Sequence, residues 1–172
     1  TPTAWKEAGV SCISIYASPT DADEEPVRLD KRYFARMPEP GMARLLVQQE
    51  AAVSDLLTRR ARVFREVAVI CDGKRPIWNV VQDTPTYGVA AEILDFYHAT
   101  EHLSKAAEVL FGKGSDKAKA WFDRYRRKMR DEDGGTNAAI RSLRYHRKRL
   151  RPRSEGRKVV TNVTCYFTRN RH

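Results

Sequence analysis

The chain has 172 residues and a net charge of +10, with 41% hydrophobic and 31% charged residues. This apolar content can form a core, and it excludes an intrinsically disordered protein. No apolar run reaches the roughly 18 residues of a membrane span, and three scattered cysteines exclude a disulfide scaffold. We therefore expect a cytoplasmic protein with no membrane partner.

The N-terminal pattern predicts a β-hairpin followed by a helix. Residues 10–16 alternate polar and apolar side chains, as a half-buried strand does. A polar, proline-flanked loop over residues 17–26 separates them from a second predicted strand over residues 27–37. Apolar residues at helical spacing then predict a helix over residues 42–62.

A second group of elements follows in the order strand, helix, strand. The apolar run over residues 66–71 is continuous, which is typical of a central strand that is covered on both faces. Residues 76–82 predict a short helix, and residues 90–95 predict another strand. The order of elements in the first two thirds of the chain therefore indicates an α/β protein.

Beyond residue 95 the sequence predicts only helices. Asp95 and Ser115 have the residue types that cap helix N-termini. The Gly134-Gly135 pair interrupts the helical pattern and restarts it. Residues 159–170 predict the last helix, although their β-branched side chains lower its intrinsic stability.

Charge is distributed unevenly along the chain. Residues 1–111 carry a net charge of −3, whereas residues 112–172 carry +13. We therefore predict a domain boundary between these two segments and a nucleic-acid partner for the basic one. The cations expected to contact phosphates are Arg124, Arg126, Arg127, Lys128, Arg141, Arg144, Arg147, Lys148, Arg149 and Arg151.

Asp72 is the strongest single candidate for a catalytic residue. It directly follows the predicted strand over residues 66–71 and precedes Gly73. The carboxyl ends of strands are where active sites of α/β sheets gather, and a carboxylate there is a suitable ligand for Mg²⁺. The alternative is that Asp72 is simply the aspartate of an Asp-Gly turn.

A second candidate group lies at the start of the helix that Asp95 would cap. His98 and His102 are four residues apart and share one helical face. Together with Glu101 they match the H-x-x-E-H pattern of inverted zinc proteases. A zinc hydrolase would need a third ligand, for which the remaining later glutamates are Glu108, Glu132 and Glu155. The alternative is a capped helix with amphipathic histidines at its edge.

Several short segments, taken in order, resemble one protein family. They are Trp5–Gly9, Ala35–Glu39, Val69–Gly73, Ile77-Trp78, Ile93–Leu103 and Tyr166–Arg171. Together they resemble the DDE-type transposases of bacterial insertion sequences, in the Kra-type branch near the Mutator-like superfamily. The resemblance extends over nearly the whole chain.

The resemblance implies an RNase H-like catalytic core over residues 1–111, with an incomplete mixed sheet flanked by helices, and an all-helical basic insertion over residues 112–172. It implies that Asp72 is the second of three carboxylates that hold two Mg²⁺ (or Mn²⁺) ions for DNA strand cleavage and strand transfer. Asp95 and His98 match a motif that supports the active site and orients DNA.

The resemblance also carries expectations about the longer protein. The first and third carboxylates would precede Trp5 and follow His172, so we expect the chain by itself to be inactive as a nuclease. The full-length enzyme would act as a homo-oligomer on transposon ends and target DNA, in a bacterial, nucleoid-associated setting. The main alternative is a non-catalytic nucleic-acid-binding module of a decayed element, in which Asp72 and His98 are structural.

Overall fold

The structure is a computed structural model that describes residues 9–17, 24–36, 51–52, 55, 66–83 and 90–170. In chain order the elements of these residues are β1 (Gly9–Tyr16), β2 (Arg28–Arg36), β3 (Ala68–Cys71), α1 (Arg75–Asp83), β4 (Ala91–Leu94), α2 (Phe96–Phe111), α3 (Asp116–Asp131), α4 (Gly135–Arg147) and α5 (Glu155–Arg169). The architecture is mixed α/β, with two small two-stranded sheets followed by a bundle of four helices.

Most of the predicted elements are present at nearly the predicted positions. The exception is the helix over residues 42–62, which lies outside the described residues apart from helical positions 51, 52 and 55. Most of the predicted loop over residues 17–26 also lies outside them. No helix in the described ranges is both long enough and apolar enough to cross a membrane.

The chain divides into two compact units, one formed by residues 1–67 and 80–90 and the other by residues 68–79 and 91–172. The first unit contains the β1–β2 hairpin. Its antiparallel register runs from Gly9 opposite Arg36 to Tyr16 opposite Arg28, with an irregularity after Ile15. Ile15 is buried, whereas Val10 and Tyr16 at the two ends of the predicted strand are 68% and 53% exposed.

In the second unit, β3 and β4 form a parallel pair in which Ala68 lies opposite Ala91 and Cys71 opposite Leu94. The expectation that residues 66–71 form a strand covered on both faces is wrong for the described part of the chain. Ile70 is 65% exposed, and β3 pairs there with β4 alone. Burial alternates along β3 because only one face of this two-stranded sheet is covered.

The core of the second unit lies in the helical bundle. Helix α2 packs on α3 and α5, and α4 packs on the same two helices. The largest fully buried side chains at the centre are Leu103, Ile140, Leu143, Val160 and Phe167. Helix α2 therefore shares one core with the basic helices α3–α5, and the domain boundary after residue 111 stays a prediction.

Short local signals define where the helices begin. The side chain of Ser115 accepts a hydrogen bond from the backbone N–H of Ala118, which caps α3 as predicted. At the start of α4, Gly134 has a φ of 75°, a conformation that favours glycine. A side chain at Gly135 would meet the carbonyl oxygen of Lys128 at 1.8 Å, so the glycine permits close approach of α3 and α4.

Candidate functional site

The parallel pairing of β3 and β4 brings two aspartates to the same edge of the sheet. Asp72 follows the last residue of β3, and Asp95 follows the last residue of β4. The backbone N–H of Asp95 donates a hydrogen bond of 2.8 Å to the carbonyl oxygen of Cys71. The two turns are therefore neighbours at the carboxyl ends of the strands, where ligands of α/β sheets bind.

Asp72 lies in a tight turn that leaves part of its carboxylate accessible. Its Oδ1 accepts a 3.0 Å hydrogen bond from the backbone N–H of Lys74, and its Oδ2 lies 3.7 Å from Lys74 Nζ. The side chain is 30% exposed. The next residue, Gly73, has a φ of 83°, and a Cβ there would lie 2.9 Å from side-chain atoms of Asn170 and Leu94. The turn therefore requires glycine both for its conformation and for its close packing.

Asp95 caps α2 through its side chain. Its Oδ1 accepts hydrogen bonds from the backbone N–H groups of Tyr97 at 2.8 Å and His98 at 3.3 Å. Because this oxygen already satisfies two N–H groups of the first turn, the carboxylate fixes where α2 begins. It thereby positions His98 one turn into the helix.

The two histidines of α2 contact each other and a tyrosine of α5. His102 Nε2 lies 3.3 Å from His98 Nε2, and the ring of Tyr166 stacks on His102 with centroids 4.1 Å apart. The hydroxyl of Tyr166 donates a 3.1 Å hydrogen bond to the carbonyl oxygen of Asp72. Tyr166 thus joins the Asp72 turn to the histidine pair.

Burial shifts three pKa values around this cluster. It lowers the pKa of His102 below its ordinary 6.5, and the positive charge of His98 lowers it further. Burial raises the pKa of the Cys71 thiol to about 11, and it raises the pKa of Tyr166, with the negative charge of Asp72 adding to the effect. At neutral pH His102 is therefore uncharged, while Cys71 and Tyr166 keep their protons.

The described residues do not by themselves form a metal site. They contain no group of three or more histidine, cysteine, aspartate or glutamate side chains arranged to hold a metal ion. His98 and His102 therefore lack a third ligand among Glu108, Glu132 and Glu155, all of which are described. Likewise, Asp72 does not complete a magnesium site with other groups in this part of the chain.

The ten basic residues that are predicted to contact phosphates differ in accessibility. Seven are exposed, namely Arg124, Arg127, Arg141, Arg144, Lys148, Arg149 and Arg151, and three are half-buried, namely Arg126, Lys128 and Arg147. Lys128 pairs with Glu132 at 2.6 Å, and Arg149 lies over the ring of Tyr145 at 4.2 Å. The exposed set therefore contains the best candidates for phosphate contacts.

Two residues of α5 and its cap, Tyr166 and Asn170, connect the bundle to the region of the Asp72 turn. Both lie in the Tyr166–Arg171 segment that carries the resemblance, but neither was predicted to be a site residue. Tyr166 reaches the carbonyl oxygen of Asp72, as described above. Asn170 is buried, and its Oδ1 accepts a 3.0 Å hydrogen bond from Trp78 Nε1. In the sequence, Tyr166 and Asn170 are four residues apart, which indicates that they share one face of a helix. This spacing could not predict their hydrogen-bond partners, Trp78 and Asp72, because these lie more than 90 positions earlier in the chain.

Comparison of the chain with protein-family models, with curated proteins and with solved structures found no match.

Proposed function

We propose that the chain is part of a DDE-type transposase of a bacterial insertion sequence. In this proposal residues 1–111 belong to an RNase H-like core, and residues 112–172 form its basic helical insertion. The observation that supports it best is the juxtaposition of Asp72 and His98, which follow neighbouring parallel strands and both contact Tyr166. The order of the elements agrees with the resemblance of the short sequence segments to that family.

In this proposal Asp72 is one carboxylate of the nuclease centre, and Asp95 and His98 support it. Two divalent ions need several carboxylates in a small volume, because the ions repel each other. The described residues offer Asp72 without such a set. The resemblance implies a set of three carboxylates, so we expect this chain alone to bind DNA and not to cleave it.

The basic helices would hold DNA by its backbone. Contacts of arginine and lysine with phosphates position a duplex without reading its sequence. The same feature favours the second candidate function, a non-catalytic DNA-binding module. The two candidates agree on DNA binding and differ on whether Asp72 is needed for strand cleavage.

The decisive experiment places Asp72→Asn in a transposase that contains this chain and measures excision of the element in cells. Asparagine keeps the hydrogen bond from Lys74 and the size of the side chain, so the turn should persist. We expect excision to be abolished, with protein abundance unchanged. Asp83→Asn, at the exposed end of α1, is the matched control and should leave excision intact. Excision at the normal rate by the Asp72 variant would leave only the non-catalytic candidate.

The second experiment measures duplex DNA binding by the 172-residue chain as a function of salt. Each phosphate contact that is lost should reduce the slope of log affinity against log salt by about 0.9. We expect Arg141→Gln with Arg144→Gln to weaken binding and lower the slope by about 2. The control, Arg28→Gln with Arg32→Gln on the exposed hairpin, removes the same charge and should have little effect. Affinity that does not depend on salt would contradict phosphate binding by these helices.

A further inference from the structure

A cleft opens beside the Asp72 turn, between the start of α1 and the C-terminal half of α5. Its volume is about 270 Å³, and its lining residues are Gly73, Arg75, Asn162, Tyr166, Arg169 and Asn170. All six belong to the second compact unit of the chain. None of the ten basic residues selected from the sequence lies in this cleft.

The lining of the cleft is cationic. Arg75 and Arg169 are both exposed, and neither forms an ion pair within the described ranges of the chain. The lining residues include no carboxylate, while Asn162 adds an exposed amide that can donate hydrogen bonds. Two unpaired guanidinium groups beside an amide donor are suited to a phosphate group, which arginine can bind in a bidentate manner.

The two helix ends at the cleft carry partial charges of opposite sign. The N-terminus of α1 carries a partial positive charge, and the C-terminus of α5 carries a partial negative charge, each of about half a unit. These two contributions largely cancel. Arg75 and Arg169 carry the only two full charges among the lining residues, so the lining itself has a net positive charge.

The cleft is also connected to Asp72 through one residue. The side chain of Tyr166 lines the cleft, and its hydroxyl donates a hydrogen bond to the carbonyl oxygen of Asp72. Gly73, the residue after Asp72, lines the cleft as well. A ligand in the cleft would therefore lie next to the turn that carries the proposed catalytic carboxylate.

We propose that this cleft binds one phosphodiester group of a DNA strand and fixes that strand beside Asp72. The assignment rests on the proposed function for the identity of the strand, because a phosphate held here would belong to DNA that approaches the nuclease centre. Arg75 and Arg169 are then positioning residues that bind the DNA backbone, with Asn162 as an additional donor. This subsite is distinct from the basic surface of α3 and α4.

The test compares two double variants of the 172-residue chain in a fluorescence anisotropy assay with a labelled DNA duplex. Arg75→Gln with Arg169→Gln removes both cations of the cleft. Arg28→Gln with Arg32→Gln removes two exposed cations of the β1–β2 hairpin, outside the basic helices. We expect about a tenfold loss of affinity for the cleft pair, equivalent to about 1.4 kcal/mol, and at most about a twofold loss for the control pair. Equal losses for the two pairs would overturn the subsite.

A second variant tests the subsite with a substitution that should not change folding stability. Asn162→Asp introduces a carboxylate into the cleft at an exposed position with almost no change in size. We expect it to weaken DNA binding while the melting temperature stays at the wild-type value. Unchanged DNA affinity in this variant, together with unchanged affinity in the arginine pair, would also overturn the subsite.

Separate measurements distinguish free phosphate from DNA as the ligand, and failure of the subsite from failure of the proposed function. Calorimetric titration with inorganic phosphate should show only weak binding, since a DNA subsite holds one group of a longer strand. Tight phosphate binding that depends on Arg75 and Arg169, with DNA affinity unchanged in the variant, would replace the DNA subsite by a site for free phosphate. Failure of the subsite leaves wild-type DNA binding and the Asp72→Asn result untouched, whereas failure of the proposed function appears as excision that survives Asp72→Asn.

Discussion

The strand edge and the helical bundle of the second unit contrast in burial and in chemistry. The bundle encloses the fully buried side chains, such as Leu103 and Phe167, whereas Ile70 and Ile93 on the strands remain 65% and 43% exposed. The strand edge instead carries Asp72 and the start of the helix with His98. The comparison indicates that stability comes mainly from the bundle and that the candidate chemistry lies on a small sheet attached to it.

Helix α5 and its cap link the two regions. Phe167 points into the core and is fully buried, while Tyr166 donates to the carbonyl oxygen of Asp72 and Asn170 accepts from Trp78. Adjacent positions of one helix therefore serve the core and the candidate site. A change in this helix can affect stability or site geometry, depending on the face that it alters.

The largest expected effect comes from Phe167→Ala, which removes a buried ring from the bundle. Phenylalanine-to-alanine changes in cores cost about 3–5 kcal/mol, and we expect a loss of this size in urea-induced unfolding. The matched control is Ile70→Ala on the exposed face of β3, which should change the free energy of unfolding by no more than about 0.5 kcal/mol. A similar loss of unfolding free energy in both variants would contradict the difference in stability contribution between the bundle and the strand edge.

A smaller effect is expected from Asp95→Ala, which removes the cap between the two regions. Loss of an N-cap side chain costs about 1 kcal/mol, so the midpoint of urea denaturation should fall modestly. Asp95→Asn retains an oxygen that can accept from the N–H groups of Tyr97 and His98, and it should remain within a few tenths of a kcal/mol of wild type. If the asparagine variant lost as much stability as the alanine variant, the negative charge rather than the cap would be the important property.

The smallest expected effect is a pH dependence of stability at the contact between α2 and α5. Burial and the charge of His98 hold the pKa of His102 below 6.5 in the folded chain, so the unfolded chain binds more protons in the pH range just below 6.5. The free energy of unfolding should therefore decrease as the pH falls through this range. Burial lowers the pKa of His146 as well, with a contribution of the same sign.

Thermal unfolding followed between about pH 8 and about pH 5.5 measures this dependence. We expect the melting temperature of the His102→Gln variant to fall less with decreasing pH than that of the wild type. His146→Gln should have an effect in the same direction. An unchanged pH profile in the His102 variant would show that this residue does not titrate differently in the folded and unfolded states.

Much of the fold could be predicted from the sequence because its signals are local. The hairpin, the strands around residues 66–71 and 90–95, and the helices after Asp95 each follow from patterns spanning fewer than about 20 residues. The prediction that β3 is covered on both faces was wrong for the described residues. A continuous apolar run does not show how many neighbouring strands and helices cover a strand. Periodicity describes a segment, whereas coverage depends on other parts of the chain.

The candidate site was predicted in part, through residues that directly follow strands. Asp72, Asp95 and His98 were selected because strand ends and helix starts can be recognised locally. The sequence pattern did not reveal that Tyr166 joins them, nor that Arg75 and Arg169 line the same cleft. The relevant contacts of α5 join positions 92 and 94 residues apart, and no local pattern encodes such pairs.

By itself, the sequence determined the charge asymmetry, the order of strands and helices and the caps at which the helices begin, since these depend on neighbouring residues. Only the tertiary structure decided which residues surround Asp72, because packing of α5 against the strand ends brings together groups that are distant along the chain. The same packing determined which cations remain exposed and which are half-buried against the bundle.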